Sequence, residues 1–154
     1  MKILNAAAVA VAMLGSVSVA YAAMELPALK AQSTPEAVTA EHVDALNNCS
    51  WERLMAQYPD DAQINLPGNV VVAGRAALGD LFAGFCKDHA DGGLKGLQFT
   101  AISSVTIGNT VVTLWEANAP FLAEPYRGSD AYIEKDGLMQ AQVSTFDGAA
   151  LKMK

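Results

Sequence analysis

Two side chains carry the chemistry that this sequence can offer, His42 and Asp130. His42 belongs to an apolar stripe with Val38, Ala45, Leu46 and Cys49, spaced as one face of a helix. Asp130 lies in the middle of a stretch that alternates like a β-strand, where a carboxylate is costly unless something satisfies it. An imidazole titrates near neutral pH, and a nearby carboxylate can fix its tautomer and raise its basicity. Together the two could abstract a proton beside a carbonyl or activate a water. Each also has a plainer reading, His42 as a core histidine bonded to a carbonyl or water, Asp130 as an edge residue or a partner of Tyr126.

Asp130 is positioned by the stretch Tyr126 to Phe146, which alternates with period two on both sides of Lys135-Asp136-Gly137 and predicts a β-hairpin. One face carries Tyr126, Asp130, Tyr132, Gln140, Gln142, Ser144 and Phe146; the other carries Ala131, Ile133, Met139, Ala141 and Val143. The first, polar and aromatic face calls for a half-enclosed pocket whose opposite wall is helical.

Those helices come first in the chain. Ser33-Thr34-Pro35-Glu36 starts the helix that bears His42, with a hydroxyl cap, an early proline and an acid in the first turn. Ser50 opens a short second helix with Trp51, Leu54, Met55 and Tyr58 on one face, stopped by Pro59. Strands are predicted over residues 62–66 and 70–73, and a third helix over 75–89 with Leu78, Leu81, Phe82, Phe85, Cys86 and His89 aligned. Strands over 97–107 and 110–117 then precede the hairpin. Helices followed by a strand meander predict an α+β fold with helices on one face of a mostly antiparallel sheet.

Carried by the run WERLMAQYPDDAQINL at Trp51 to Leu66, the Gly74-Arg75 helix opening and GSDAYIEKDGLM in the hairpin, the chain resembles the SnoaL-like members of the nuclear transport factor 2-like superfamily over about residues 34–148. The resemblance implies a cone with an internal pocket between three N-terminal helices and a curved sheet, and a homodimer through the convex sheet face. Similarity to ketosteroid isomerase puts Asp130 at the oxyanion-hole aspartic acid and His42 at the oxyanion-hole tyrosine. Leu66 stands where that enzyme has its general base, and a leucine moves no proton. Pocket-lining residues implied are Trp51, Met55, Tyr58, Leu66, Phe82 and Phe85. From the sheet, Phe99, Trp115, Tyr132, Gln142 and Phe146 join them.

The 154 residues suffice for one domain with a core. An apolar run from Ile3 to Val19 ending in Ala20-Tyr21-Ala22 reads as a signal peptide over residues 1–22, the alternative being an uncleaved anchor. Residues 23–33 read as a flexible leader and 34–154 as the domain, exported to a periplasm or the medium and without stable membrane insertion after cleavage. Without residues 1–22 the chain has nine basic and sixteen acidic side chains, a net charge of −7, which argues against nucleic acid as a partner. Cys49 and Cys86 are either a disulfide or two buried thiols. Two isolated histidines give no metal signature, and no cofactor is expected. Two functions follow: an exported protein that binds a small, largely apolar molecule, or a lyase or isomerase of dehydratase or cyclase type, with His42 and Asp130 acting on a carbonyl-bearing cyclic compound.

Overall fold

The computed structural model describes residues 25–154; the expected signal peptide lies outside them. Helix α1 (Pro35–Asn47) begins where the sequence predicts, Thr34 Oγ1 accepting from the Ala37 N–H at 3.2 Å. Helix α2 (Trp51–Met55) and α3 (Arg75–Phe85) complete the helical layer. Six strands form one sheet: β1 (Gln63–Leu66), β2 (Val70–Ala73), β3 (Gln98–Ile107), β4 (Thr110–Asn118), β5 (Tyr126–Lys135) and β6 (Leu138–Phe146). Their order is β2-β1-β6-β5-β4-β3, antiparallel throughout except where β1 runs parallel to β6. The fold is α+β, with helices on the inner face of a curved sheet. Among the described residues no helix is long and apolar enough to cross a membrane.

The hairpin turns at Asp136 and Gly137, both in the left-handed region at φ 56° and 78°. A Cβ on Gly137 would also collide with Gln32 and Ala31. The segment before α1 therefore lies against this turn. Although a flexible leader was expected there, Gln32 donates to the Gly137 carbonyl and Lys30 to that of Ala56, both at 2.8 Å. Arg75 holds it from the other side: its guanidinium donates to the Pro27 carbonyl and to the Met55 carbonyl that ends α2.

Two helix ends and one strand register differ from expectation. α2 stops at Met55, so Tyr58 hangs from the following turn. α3 stops at Phe85, where Cys86 is bonded to Cys49 across a Cα–Cα distance of 5.5 Å, and His89 sits in a separate 3-10 turn, stacked on Phe121 at 4.5 Å between ring centroids. Both thiols are thus oxidised. In β6 an extra residue, Gln140, lies between the pairs Ile133 with Ala141 and Glu134 with Met139. This bulge reverses the alternation below it. Met139, expected on the outer face, is fully buried, and Gln140, expected inside, reaches out to the Asp61 carbonyl at 3.4 Å.

The outer face of the sheet is apolar and uncovered, with Leu114 50 % and Val105 59 % exposed beside Val112, Ile107 and Val143. Inside, the side chains form two clusters. One, under all three helices, holds Leu54, Met55, Tyr58, Ile64, Leu78 and Met139. The other, at the wide end, holds Leu97, Trp115, Ala117, Leu122 and Tyr126, edged by half-buried rings.

Candidate functional site

At the closed end, His42 from α1, Tyr58 from the turn after α2, and Gln142 from β6 meet in a buried chain of hydrogen bonds. Tyr58 Oη lies 3.2 Å from His42 Nδ1 and 3.3 Å from Gln142 Oε1, and Gln142 Nε2 donates to Ser144 Oγ at 3.0 Å. Because Gln142 Oε1 can only accept, the consistent assignment has His42 Nδ1–H donating to Tyr58 and Tyr58 donating onward. Phe82 and Tyr132 close around the imidazole at 5.9 and 5.5 Å between ring centroids. Burial pushes the His42 pKa down to about 4, so the ring is neutral at pH 7. Burial likewise lifts the Tyr58 hydroxyl well above its ordinary range, with the charge of Asp130 acting in the same direction.

Asp130, on β5, is 7 % exposed. Tyr132, two residues on and facing the same way, donates to its Oδ2 at 2.9 Å. Burial raises the Asp130 pKa, held back in part by polar hydrogens that Ser144, Tyr132, Trp115 and Gln142 turn toward it. Of these only the Tyr132 contact has ordinary hydrogen-bond geometry: Asp130 Oδ1 and the Trp115 indole Nε1 are buried without a partner. They are complementary, one acceptor and one donor, in the same part of the hollow.

Gly128 explains how the indole reaches there. It pairs with Trp115 across β4 and β5, and any Cβ at 128 would overlap the indole's six-membered ring. The ring lies over the glycine, on the same inner face as Asp130 two residues on.

No hydrogen bond joins His42 to Asp130. The expected pairing is replaced by two intervening tyrosines, Tyr58 on the histidine and Tyr132 on the aspartate, and the low pKa of His42 is the reverse of what a carboxylate partner would produce. The other residues expected to line a pocket divide between the clusters. Met55, Tyr58, Phe82 and Tyr132 fill the closed end. Leu66 packs at its margin, and Trp51 lies between α2 and α3, its indole donating to the Gly79 carbonyl at 3.0 Å. Phe85, Phe99 and Phe146 are half-buried around Trp115 at the wide end, Phe99 meeting Trp115 edge-on at 5.1 Å.

The closed end is thus filled by the protein's own side chains, and Asp130 lies on the side of it that faces Trp115 and the half-buried rings. A cleft of about 280 Å³ lined by Lys30, Gln32, Glu41, Arg53, Ala56 and Gln57 lies on the helix side and shares no residue with the polar cluster. Sequence reasoning put Ser144 and Tyr126 on the face of Asp130 without counting them among the site residues, and missed Leu151 altogether. Ser144 and Tyr126 share the inward alternation of Asp130, which was the available signal; nothing local marks Leu151.

Solved structures resemble this chain in fold, all at identities that speak to fold alone. A structure of RV0760c from Mycobacterium tuberculosis matches with TM-score 0.65 and 14 % identity over 81 % of this chain and all of its own. TerC, co-crystallised with polyporic acid, matches with TM-score 0.64 and 16 % identity over 77 % of this chain and 95 % of its own. A putative ketosteroid isomerase from Kribbella flavida matches with TM-score 0.62 and 19 % identity over 73 % and 77 %. No functionally curated protein matches the sequence. The sequence profile of the SnoaL-like domain matches residues 39–146, which takes in the three helices, the six strands but for the first residues of α1, and both halves of the polar cluster. The chain belongs to the SnoaL-like domain family.

Proposed function

We propose that this protein binds a small, largely apolar molecule that enters at the wide end and presents one oxygen to Asp130 and Trp115. The observation that carries this reading is the pair of buried, unpartnered atoms, Asp130 Oδ1 and Trp115 Nε1, behind a rim of half-buried aromatic rings. A hydroxyl accepts from the indole and donates to the carboxylate; a purely apolar ligand leaves both unsatisfied, at a cost of about 1–3 kcal/mol each. Rings such as Phe85, Phe99 and Phe146 suit flat apolar ligands. That TerC was co-crystallised with polyporic acid supports a ligand role for this fold.

The catalytic alternative draws on the raised pKa of Asp130, which would let it donate as a neutral acid. Against it, His42 is engaged with Tyr58 and neutral, and Leu66 supplies no base. The geometry therefore favours a binder over a lyase or isomerase. The test is titration of the domain with 2-naphthol and with naphthalene, followed by isothermal calorimetry or tryptophan fluorescence. The naphthol should bind at least about tenfold tighter, and Trp115→Phe and Asp130→Asn should each erase most of that margin. Equal affinity for both compounds would defeat the proposal.

Two further parts of this reading concern setting. The Cys49–Cys86 disulfide supports export to an oxidising compartment, checked by N-terminal sequencing of the mature protein for a start at Ala23. The uncovered apolar sheet face fits a second copy of the same face in a homodimer, checked by light scattering of the wild type and of Leu114→Lys.

A further inference from the structure

We infer that residues 147–154 form a strap that closes the wide end and gates access to Trp115 and Asp130. This rests on the binding site proposed above and adds its entrance. The segment lies beyond both β6 and the family match, which end at Phe146.

Its course is defined by contacts at each end. Where it leaves β6, the Tyr126 hydroxyl donates to the Asp147 carbonyl at 2.9 Å, and Asp147 caps a short 3-10 turn, Gly148–Ala150. It then runs back antiparallel to the connection between β4 and β5. Leu122 bridges Met153, Ala123 N–H donates to the Lys152 carbonyl at 2.9 Å, and Lys154 N–H to that of Phe121 at 3.0 Å. Between these anchors Leu151 drops into the cluster that contains Trp115, Leu122 and Tyr126. It is the one half-buried residue of the strap, the others being exposed.

Such an attachment is specific yet cheap to release. The Lys152–Glu124 pair has 63 % and 53 % of its side chains exposed, a setting in which an ion pair contributes little. What remains is one apolar side chain and a few solvent-facing backbone hydrogen bonds, the pattern of a segment that opens locally without unfolding the domain. In the closed position Leu151 covers the cluster through which a ligand must pass to reach the indole N–H.

The two indole N–H groups report on this directly. That of Trp51 donates to Gly79 between α2 and α3, away from the strap, and serves as an internal control, while that of Trp115 is turned toward Asp130, buried and without a partner in ordinary hydrogen-bond geometry. Solvent exchange of both is read by NMR in the intact protein, in Leu151→Asp, and in a chain ending at Asp147. The expected result is at least a tenfold faster exchange at Trp115 with Trp51 unchanged. Leu151→Ala, which adds no charge, is expected to move Trp115 the same way and keeps the question decidable where Leu151→Asp unfolds the protein. In parallel, association and dissociation rates of 2-naphthol should rise together about tenfold, its affinity changing less than threefold. Unchanged Trp115 exchange in the variants, with unchanged naphthol rates, overturns the strap while leaving the binding site intact. Faster Trp115 exchange with no naphthol binding to any of the proteins upholds the strap and defeats the binding proposal.

Discussion

The two ends of the hollow are built from similar residues to opposite purposes. At the closed end Tyr58, Leu54, Met55 and Met139 are fully buried, and the polar groups of His42, Tyr58 and Gln142 satisfy one another. At the wide end Phe85, Phe99, Phe121 and Phe146 stay half-buried, and Trp115 keeps an unmatched donor. Well-packed and hydrogen-bonded, the first region contributes stability; the second holds apolar surface and polar capacity in reserve. The contrast separates what folds the protein from what is available to a partner molecule.

The strongest way to break the comparison is to truncate one ring at each end. Tyr58→Ala should lower stability by about 3–5 kcal/mol, from lost packing and a stranded His42, while Phe99→Ala should cost well under half as much. Urea unfolding measures both, and similar losses would erase the distinction. Acid comes next. His42 is neutral in the fold, with its pKa at about 4 against an ordinary 6.5, so the unfolded chain takes a proton first as the pH drops. The stability this contributes is complete above pH 6.5 and declines by about 3 kcal/mol toward pH 4. His42→Leu should flatten that slope in urea titrations run at several pH values. Asp130 acts oppositely: with its pKa raised, the stability it contributes is present at low pH and lost as the pH climbs above the ordinary carboxylate range.

Removing the bond between the ends of α1 and α3 should cost about 4 kcal/mol, read as a lower midpoint for Cys49→Ser/Cys86→Ser. Gly128→Ala, which pushes the Trp115 indole off its seat, should cost about 1–3 kcal/mol and weaken naphthol binding along with it. The smallest effect belongs to Asp130→Asn. It leaves thermal stability at pH 7 within about 1 kcal/mol of wild type, or raises it, because an under-satisfied buried acid is relieved.

Much of this architecture could be read from residue order. Thr34-Pro35-Glu36 marks the start of α1, Asp136-Gly137 marks the hairpin turn, and the alternation around Asp130 marks its inward direction. What could not be read were features settled across the fold. The bulge at Gln140 has no glycine or proline to announce it; it follows from β6 having to place Met139 under the helices while keeping Gln142 inward. The end of α3 falls at Cys86, the residue bonded to Cys49, a pairing that residue order leaves open. Likewise the partner of His42 depended on Tyr58 leaving its helix, and the leader on a buried Arg75 whose backbone acceptors lie elsewhere in the chain. Spacing finds residues that share a face; it does not say which neighbour a side chain turns to.

The lone parallel pairing, β1 beside β6, has a consequence for the order of assembly. Apart from β2, strand β1 finds its only backbone partner in nearly the last strand to leave the ribosome. The helical third of the molecule, its disulfide included, can form early, but β1 and β2, which α3 packs against, join the rest of the sheet only then. A nascent chain halted before Leu138 would leave Ile64, Leu78 and Tyr58 without Met139, which shares their cluster, whereas one halted after Phe146 would hold all six strands.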